Sequence, residues 1–384
     1  MAKYQRIVYL LSSPFCKRDY QRFGMAYFER SGYSVEIWDL TRFVDPDRAR
    51  RMIPDPLTHV RLCHFSSFEE VLQALRVLPA NAFVINIINY GPSSYRLYKT
   101  LWKRKCRYAV LKATDIPDEF PHIKWFLKLK KINWTSLKWN LWGKRKRQYD
   151  GEIILAGGEK FISSKELRCA EIIWIHALDY DMYLTESLRR TELNCKPKIV
   201  WLDSYLPFHP DFDESTRLAR DPANYYATLC KFFDLLELNL GIEVVVAENP
   251  RAIREQHEPF WQGRQIISGQ VASLICEAAL VMTHGSTAIH LAVLFNKPIL
   301  FVTFDQIERL RKIGKMGDNK NSLVQKLEKK TANIDHLEEV DWKKLMEVDQ
   351  VVYQRYIENY IKKAGTPMQP FWAVVCDWVH QQII

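Results

Sequence analysis

Residues Ala279 to Thr303 read ALVMTHGSTAIHLAVLFNKPILFVT, and this stretch decides the fold. Leu280–Thr283 is a short β-type run, and His284-Gly285-Ser286-Thr287 stands where it ends. Ser286–Phe295 has the apolar spacing of a helix, Asn296-Lys297-Pro298 closes it, and Ile299–Val302 is a second buried strand. Strand, tight turn, helix and parallel strand form one βαβ unit. The start of a helix offers unsatisfied backbone N–H groups and the positive end of its dipole. Gly285 lets the backbone approach a ligand, and Ser286 and Thr287 add hydroxyls, a set that suits a phosphate oxygen. The same Ser and Thr also read as an ordinary helix N-cap, worth about 1 kcal/mol.

Working outward, the second half repeats this alternation. Lys198–Leu202 and Glu243–Ala247 are strand-like, while Pro222–Leu238 and Ser268–Ala278 have helical patterns. The loop after the first of these strands, Trp201 to Asp211, carries Asp203, His209 and Asp211. Two carboxylates and an imidazole at a strand end are candidates to take a proton from a hydroxyl. They fit equally a proline-rich structural loop in which Asp203 caps and His209 packs. The first half alternates in the same way: strands at Ile7–Ser12, Ser34–Leu40, His59–Phe65, Ala82–Asn89 and Arg107–Ala113, with helical stretches between them. Gly151–Ala156 and Ile172–Ala177 resume the β character. The expectation is an α/β chain of two mostly parallel sheets, each covered by helices, with ligands at the carboxyl ends of the strands. Lys17, Arg18 and Asp19 follow the first strand and become candidates on that edge.

Composition sets the outer limits. A chain of 384 residues with 47% apolar and 26% charged residues is sized for two globular domains. No window approaches the ~18 consecutive apolar residues of a membrane span. Lys3 and Arg6 before Ile7–Leu11, with Cys16 beyond, mimic a lipoprotein signal. The apolar run is short, however, and bulky Phe15 precedes the cysteine, so a first strand is the better reading. Eight scattered cysteines with no C-x-x-C pair read as free thiols of a reducing cytoplasm, with no zinc site. A net charge of +10 points to an anionic partner.

The alternation breaks near Pro117. From His122 to Arg147 there are nine Lys/Arg and no acidic residue, interleaved with tryptophans. On a helical wheel Trp125 and Trp139 fall on an apolar stripe, with Lys128 and Lys131 on a neighbouring face; Trp134 lies in the same segment. Basic side chains beside Trp and Leu suit the headgroups of an anionic bilayer. A helix packed on its own domain, or a surface that stacks nucleic-acid bases, would use the same residues.

The Ala279–Thr303 stretch resembles the donor half of bacterial surface-polysaccharide glycosyltransferases with a GT-B-like fold. These are capsule and lipopolysaccharide enzymes related to the Kdo-transferring and polysialic-acid-synthesising groups. In them a strand ends in a His/Ser-Gly-Ser-Thr turn, and a helix leads to Lys-Pro-Ile/Val. Upstream they carry a strand ending in His-Pro with basic residues. The matching stretch here is Val244 to Arg251, with Asn249 where the family has His. Asn can donate a hydrogen bond but carries no charge, so either Arg251 and Arg254 supply it or the donor chemistry is altered. The likeness covers roughly residues 198–303.

The resemblance implies two Rossmann-like domains facing a central cleft. The N-terminal domain, 1–192 with the basic insertion 117–150, would hold the acceptor through Lys17, Arg18 and Asp19. The C-terminal domain, 196–364, would hold the nucleotide-sugar through Asn249, Arg251, His284, Gly285, Ser286 and Thr287. Residues 365–384 would form a helix packing back on the N-terminal domain. Asp203, His209 and Asp211 are the catalytic candidates. The implied reaction moves a sugar from a nucleotide-sugar donor to a cell-surface polysaccharide or glycolipid, with no metal and no cofactor beyond the nucleotide-sugar substrate. It would take place on the inner face of the plasma membrane, with Trp125, Trp134, Trp139, Lys128 and Lys131 touching the bilayer; nucleic acid is not the expected partner. An epimerase or hydrolase of the same fold, and a catalytically silent scaffold at the membrane, are the alternatives.

Overall fold

A computed structural model of the chain describes residues 3–52, 57–113, 147–189, 196–208, 221–312, 319–337, 344 and 346–382. They divide into two compact units. The first unit takes its described residues from the chain up to 113, from 147–178 and from 362–382; the second takes them from 179–361. The chain passes into the second unit ahead of the helix Asp179–Arg189, so this helix belongs with the C-terminal sheet.

The first unit is built on seven strands: β1 Arg6–Leu11, β2 Ser34–Asp39, β3 Arg61–Cys63, β4 Ala82–Asn86, β5 Tyr108–Lys112, β6 Glu152–Ala156 and β7 Glu171–Trp174. All neighbours pair in parallel in the order β3-β2-β1-β4-β5-β6-β7. β4 and β6 are buried along their whole length, as strands covered on both faces must be. The returning chain docks on this unit. His176 is fully buried, and its Nε2 meets the Gln369 carbonyl at 2.7 Å. The Lys363 amide donates to the Gly157 carbonyl at 3.2 Å. The helix Phe371–His380 then buries Trp372 against Tyr9 and Phe28, and its indole N–H donates to the Arg22 carbonyl at 2.8 Å. Gly24, at φ +58°, makes this possible: a Cβ there would stand 2.2 Å from the Trp372 ring.

The second unit holds β8 Lys198–Leu202, β9 Val244–Ala247, β10 Ile266–Ile267, β11 Ala278–Thr283, β12 Ile299–Thr303 and β13 Thr331–Asn333. Its order is β10-β9-β8-β11-β12-β13, again all parallel. Numbered within each unit, the central strands of both run 3-2-1-4-5-6, the Rossmann order, and the second sheet reverses direction between β8 and β11. The long helix Pro222–Leu240 covers this sheet. Asp221 caps it by accepting from the Asn224 amide, Pro222 opens its first turn, and Gly241 at φ +65° ends it. Tyr225, Leu229, Phe232, Phe233 and Leu236 lie at helical spacing on its buried face.

Candidate functional site

The reversal between β8 and β11 fixes where a ligand crevice forms, because the loops leaving these two strands diverge to opposite sides of the sheet. The sequence-predicted residues of the C-terminal unit come from these two strand ends and from that of the neighbouring β9. Asp203 follows β8, Asn249 and Arg251 follow β9, and His284 to Thr287 follow β11. His209 and Asp211 lie outside the described residues, as do Trp125, Lys128, Lys131, Trp134 and Trp139.

The turn after β11 is held from within. The Thr283 hydroxyl accepts from the Gly285 amide at 3.0 Å and from the Ser286 amide at 2.9 Å. Ser286 Oγ accepts from the Ala288 amide at 3.3 Å. Gly285 has φ +130°, a conformation that favours glycine. The helix begins only at Ile289 and runs to Leu294, so the expected start at Ser286 is corrected: residues 286–288 are turn. The Thr283 hydroxyl accepts from the amides two and three residues on, the pattern of a capping side chain, and the bonds that follow close over three residues, from Ile289 to the Ser286 carbonyl and from His290 to the Thr287 carbonyl. Thr287 is exposed, and its amide has no hydrogen-bond partner among the described residues. The outward donors of the turn are therefore the Ser286 and Thr287 hydroxyls and the Thr287 amide.

The His284 side chain is not among them. It is 3% exposed, its Nδ1 meets the Val302 carbonyl at 2.8 Å, and its Nε2 meets the Tyr225 hydroxyl at 3.1 Å. With Nδ1 on a carbonyl of β12 and Nε2 on a hydroxyl of the long helix, the ring fixes the turn to the sheet and to that helix. The expectation of a side-chain contact from His284 to a phosphate is replaced by this supporting role.

Asp203 is likewise enclosed, at 4% exposure. Its Oδ1 accepts from the Tyr205 amide at 2.9 Å. Burial drives its pKa up from 3.8 to about 7, against the opposing pull of the Tyr205 amide, and the nearby Glu248 charge adds to the rise. The Trp201 indole N–H lies beside the carboxyl and favours the anion, but is not aligned to hydrogen-bond it. Oδ1 thus supports the loop, while Oδ2 is buried with no hydrogen-bond partner among the described residues.

At the end of β9, Asn249 spends both ends of its amide. Nδ2 reaches the Asp203 carbonyl at 3.4 Å, and Oδ1 accepts from the Arg251 amide at 2.9 Å. Arg251 is exposed. Arg254 is bidentate on Glu248, at 3.1 and 2.9 Å, and so brings no net charge to a ligand. Burial raises the Glu248 pKa, but hydrogen bonds from Arg254, Ser268 and His257 outweigh it and hold the carboxyl below its ordinary range. His257 is buried and its pKa is lowered by desolvation; it donates to Glu248 through Nε2 and accepts from the Trp261 indole at 2.8 Å.

Arg311 is the residue that the motif reading missed. The helix Asp305–Lys312 leaves β12 at the same edge and carries the Arg311 guanidinium to 3.2 Å from the His284 carbonyl. The amphipathic spacing of that helix was its only signal in the sequence. In the N-terminal unit Lys17 and Arg18 are exposed, whereas Asp19 is 3% exposed. The Asp19 carboxylate accepts from the Cys16 amide at 3.2 Å, closing the start of the helix Lys17–Arg22, and this corrects its reading as an acceptor contact. A cavity of about 190 Å³ opens nearby, beyond β1 to β3, where Arg42 and His64 line it with Asp39 and Thr41. A larger one, about 380 Å³, is lined by none of the predicted residues; Lys326, Arg355, Tyr356 and Tyr360 border it. Among the described residues no group of three or more His, Cys, Asp or Glu is placed to hold a metal ion, and no helix is long and apolar enough to cross a membrane.

Two Rossmann-like units in succession define a chain of the GT-B-like class. A solved structure that the chain is similar to is the glycotransferase of kitacinnamycin, with a TM-score of 0.52 at 10% identity over 99% of this chain and 100% of that one. The calicheamicin glycosyltransferase CalG4 gives 0.47 at 12% identity, covering 92% and 93% of the two chains. The wall teichoic acid polymerase TagF gives 0.46 at 13%, covering 99% and 89%. At these identities the likeness is one of fold. No protein-family model matches the sequence, and no curated protein matches it.

Proposed function

We propose that the chain is a nucleotide-sugar-dependent glycosyltransferase acting without a metal on a cell-surface polysaccharide or glycolipid. The observation that carries this reading is the turn Gly285–Thr287. It lies where the second Rossmann sheet reverses, its outward donors are two hydroxyls and one amide, and its remaining amides are fixed by Thr283. Donors held in place before a ligand arrives need no reorganisation to stabilise a leaving phosphate. The exposed Arg251 adds positive charge after β9. That the solved structures of similar fold include glycosyltransferases adds support. Lys17 and Arg18 of the N-terminal unit are the acceptor-side residues of this reading, and the basic tryptophan segment is its contact with an anionic membrane on the cytoplasmic side. His209 and Asp211 remain its candidates for the catalytic base.

A panel of CMP, CDP, UDP, GDP and dTDP tests it by thermal shift. A bound nucleotide at a hundred times its dissociation constant stabilises the fold by about 2.7 kcal/mol. The expected result is a selective shift that Ser286→Ala with Thr287→Ala removes. No shift with any of the five, with acceptor glycan present or absent, would sink the transferase reading. It would favour a silent scaffold, a reading supported by the internal commitment of His284, Asn249 and Arg254.

A further inference from the structure

We infer that Arg311 is a positioning residue for the His284–Thr287 turn, an inference that rests on the nucleotide reading of that turn. The guanidinium is almost enclosed, with the side chain 7% exposed. Nη1 meets Glu308 Oε1 at 2.9 Å and the Thr303 hydroxyl at 3.4 Å, while Nη2 donates to the His284 carbonyl at 3.2 Å. Thr303 Oγ1 closes the circuit on Glu308 at 2.5 Å. A charge buried to this degree is costly unless paired, and Glu308 supplies the pair. The planar fork then leaves a second N–H direction, which is spent on a backbone carbonyl of the turn.

That contact matters because of what it fixes. The His284–Gly285 peptide has its carbonyl held inward by Arg311 and its amide held by Thr283. The Ser286 amide is held by the same Thr283 hydroxyl. With both sides of the peptide tied, rotation about Gly285 is restricted, and the backbone that carries Ser286 and Thr287 keeps one course. Without Arg311 the carbonyl side of that peptide is untied, and the Thr283 hydroxyl alone holds a glycine at φ +130°. The turn would then populate several conformers, and a nucleotide would bind only the competent fraction of them.

The test uses the full chain with Arg311→Ala and Arg311→Lys, titrated with CMP, CDP, UDP, GDP and dTDP. Loss of a hydrogen bond from a charged donor predicts a dissociation constant raised about tenfold or more in Arg311→Ala. Guanidinium ion at tens of millimolar should recover part of that loss, and lysine should fall between. Hydrogen–deuterium exchange supplies a readout that needs no nucleotide: the Gly285 and Ser286 amides should exchange about tenfold faster in Arg311→Ala. Should Arg311→Ala fail to fold, Arg311→Lys carries both measurements. Unchanged exchange at these two amides in a folded variant overturns the inference. So does an unchanged dissociation constant. Faster exchange in a protein whose wild type binds none of the five nucleotides sinks the nucleotide reading alone and leaves Arg311 as the holder of the turn.

Discussion

Asp203→Asn should remove a loss of stability that the wild-type chain suffers as pH rises. The carboxyl is enclosed among Trp201, Tyr205, Tyr225 and Tyr226, with the Glu248 charge close by, and its pKa stands at about 7 instead of 3.8. A carboxyl whose pKa is raised on folding binds its proton more tightly in the native state. Its stabilising effect is therefore whole below pH 3.8 and is lost as pH rises through about 7. At 1.36 kcal/mol per unit, the full loss approaches about 4 kcal/mol, of which about 2.7 falls between pH ~5 and pH ~8.5. Asparagine has no such titration and keeps an oxygen for the Tyr205 amide. Its amide group also faces the Trp201 indole N–H, a fixed cost that cancels when slopes are compared.

Urea unfolding of both proteins at several pH values between these limits gives the two slopes. The stability of the wild type should fall relative to Asp203→Asn by about 2–3 kcal/mol over that span. Parallel curves would show that Asp203 titrates in its ordinary range and is hydrated, not enclosed. A wild type that gained on the variant as pH rose would mean a carboxylate stabilised as the anion, and the argument from burial would fail outright.

Three further outcomes follow from packing and pairing. Arg147→Met should destabilise the N-terminal unit by about 3–5 kcal/mol in chemical denaturation, because Glu152, whose side chain is 0% exposed, loses the cation 2.5 Å away. Gly24→Ala should cost about 3 kcal/mol or more by the same assay: the left-handed conformation is unfavourable for alanine, and Trp372 has to leave its site. Thr283→Val should cost about 1–3 kcal/mol, since two amides of the turn lose one acceptor, and it should weaken nucleotide binding in the shift assay described above.

The sequence was most legible where burial acts on both faces of a strand. Val244–Ala247 and residues 299–302 are apolar throughout because a parallel sheet under helices leaves no solvated face, and such runs stand out without knowledge of their partners. Boundaries were less visible. The helix after β11 starts three residues late, and the bonds before it close over three residues, from Ile289 to Ser286 and from His290 to Thr287, a difference that apolar spacing does not reveal. The passage into the second unit was equally hidden: Asp179–Arg189 is an ordinary amphipathic helix, and only its packing partners place it. Among them are Phe295, against which Tyr183 stands at 5.0 Å, and His290, which faces Asp179 at 3.2 Å.

Residue type marked the candidate site, but it could not show which side chains were already committed. His284, Asn249 and Arg254 have the chemistry to grip a phosphate, and each is occupied by the protein itself. The reason is general to strand ends in a parallel sheet: loops leaving at the same edge expose carbonyls and amides that need partners, and nearby polar side chains supply them. What remains is dipolar, the Ser286 and Thr287 hydroxyls and the Thr287 amide. Neutral donors grip an anion strongly only when they cannot turn away from it, so in the proposed reading rigidity does what charge does elsewhere. On that reading the functional demand falls one layer inward, on Thr283 at the amides, His284 against the sheet and Arg311 at the carbonyl, the residues that hold the turn in the form proposed to bind.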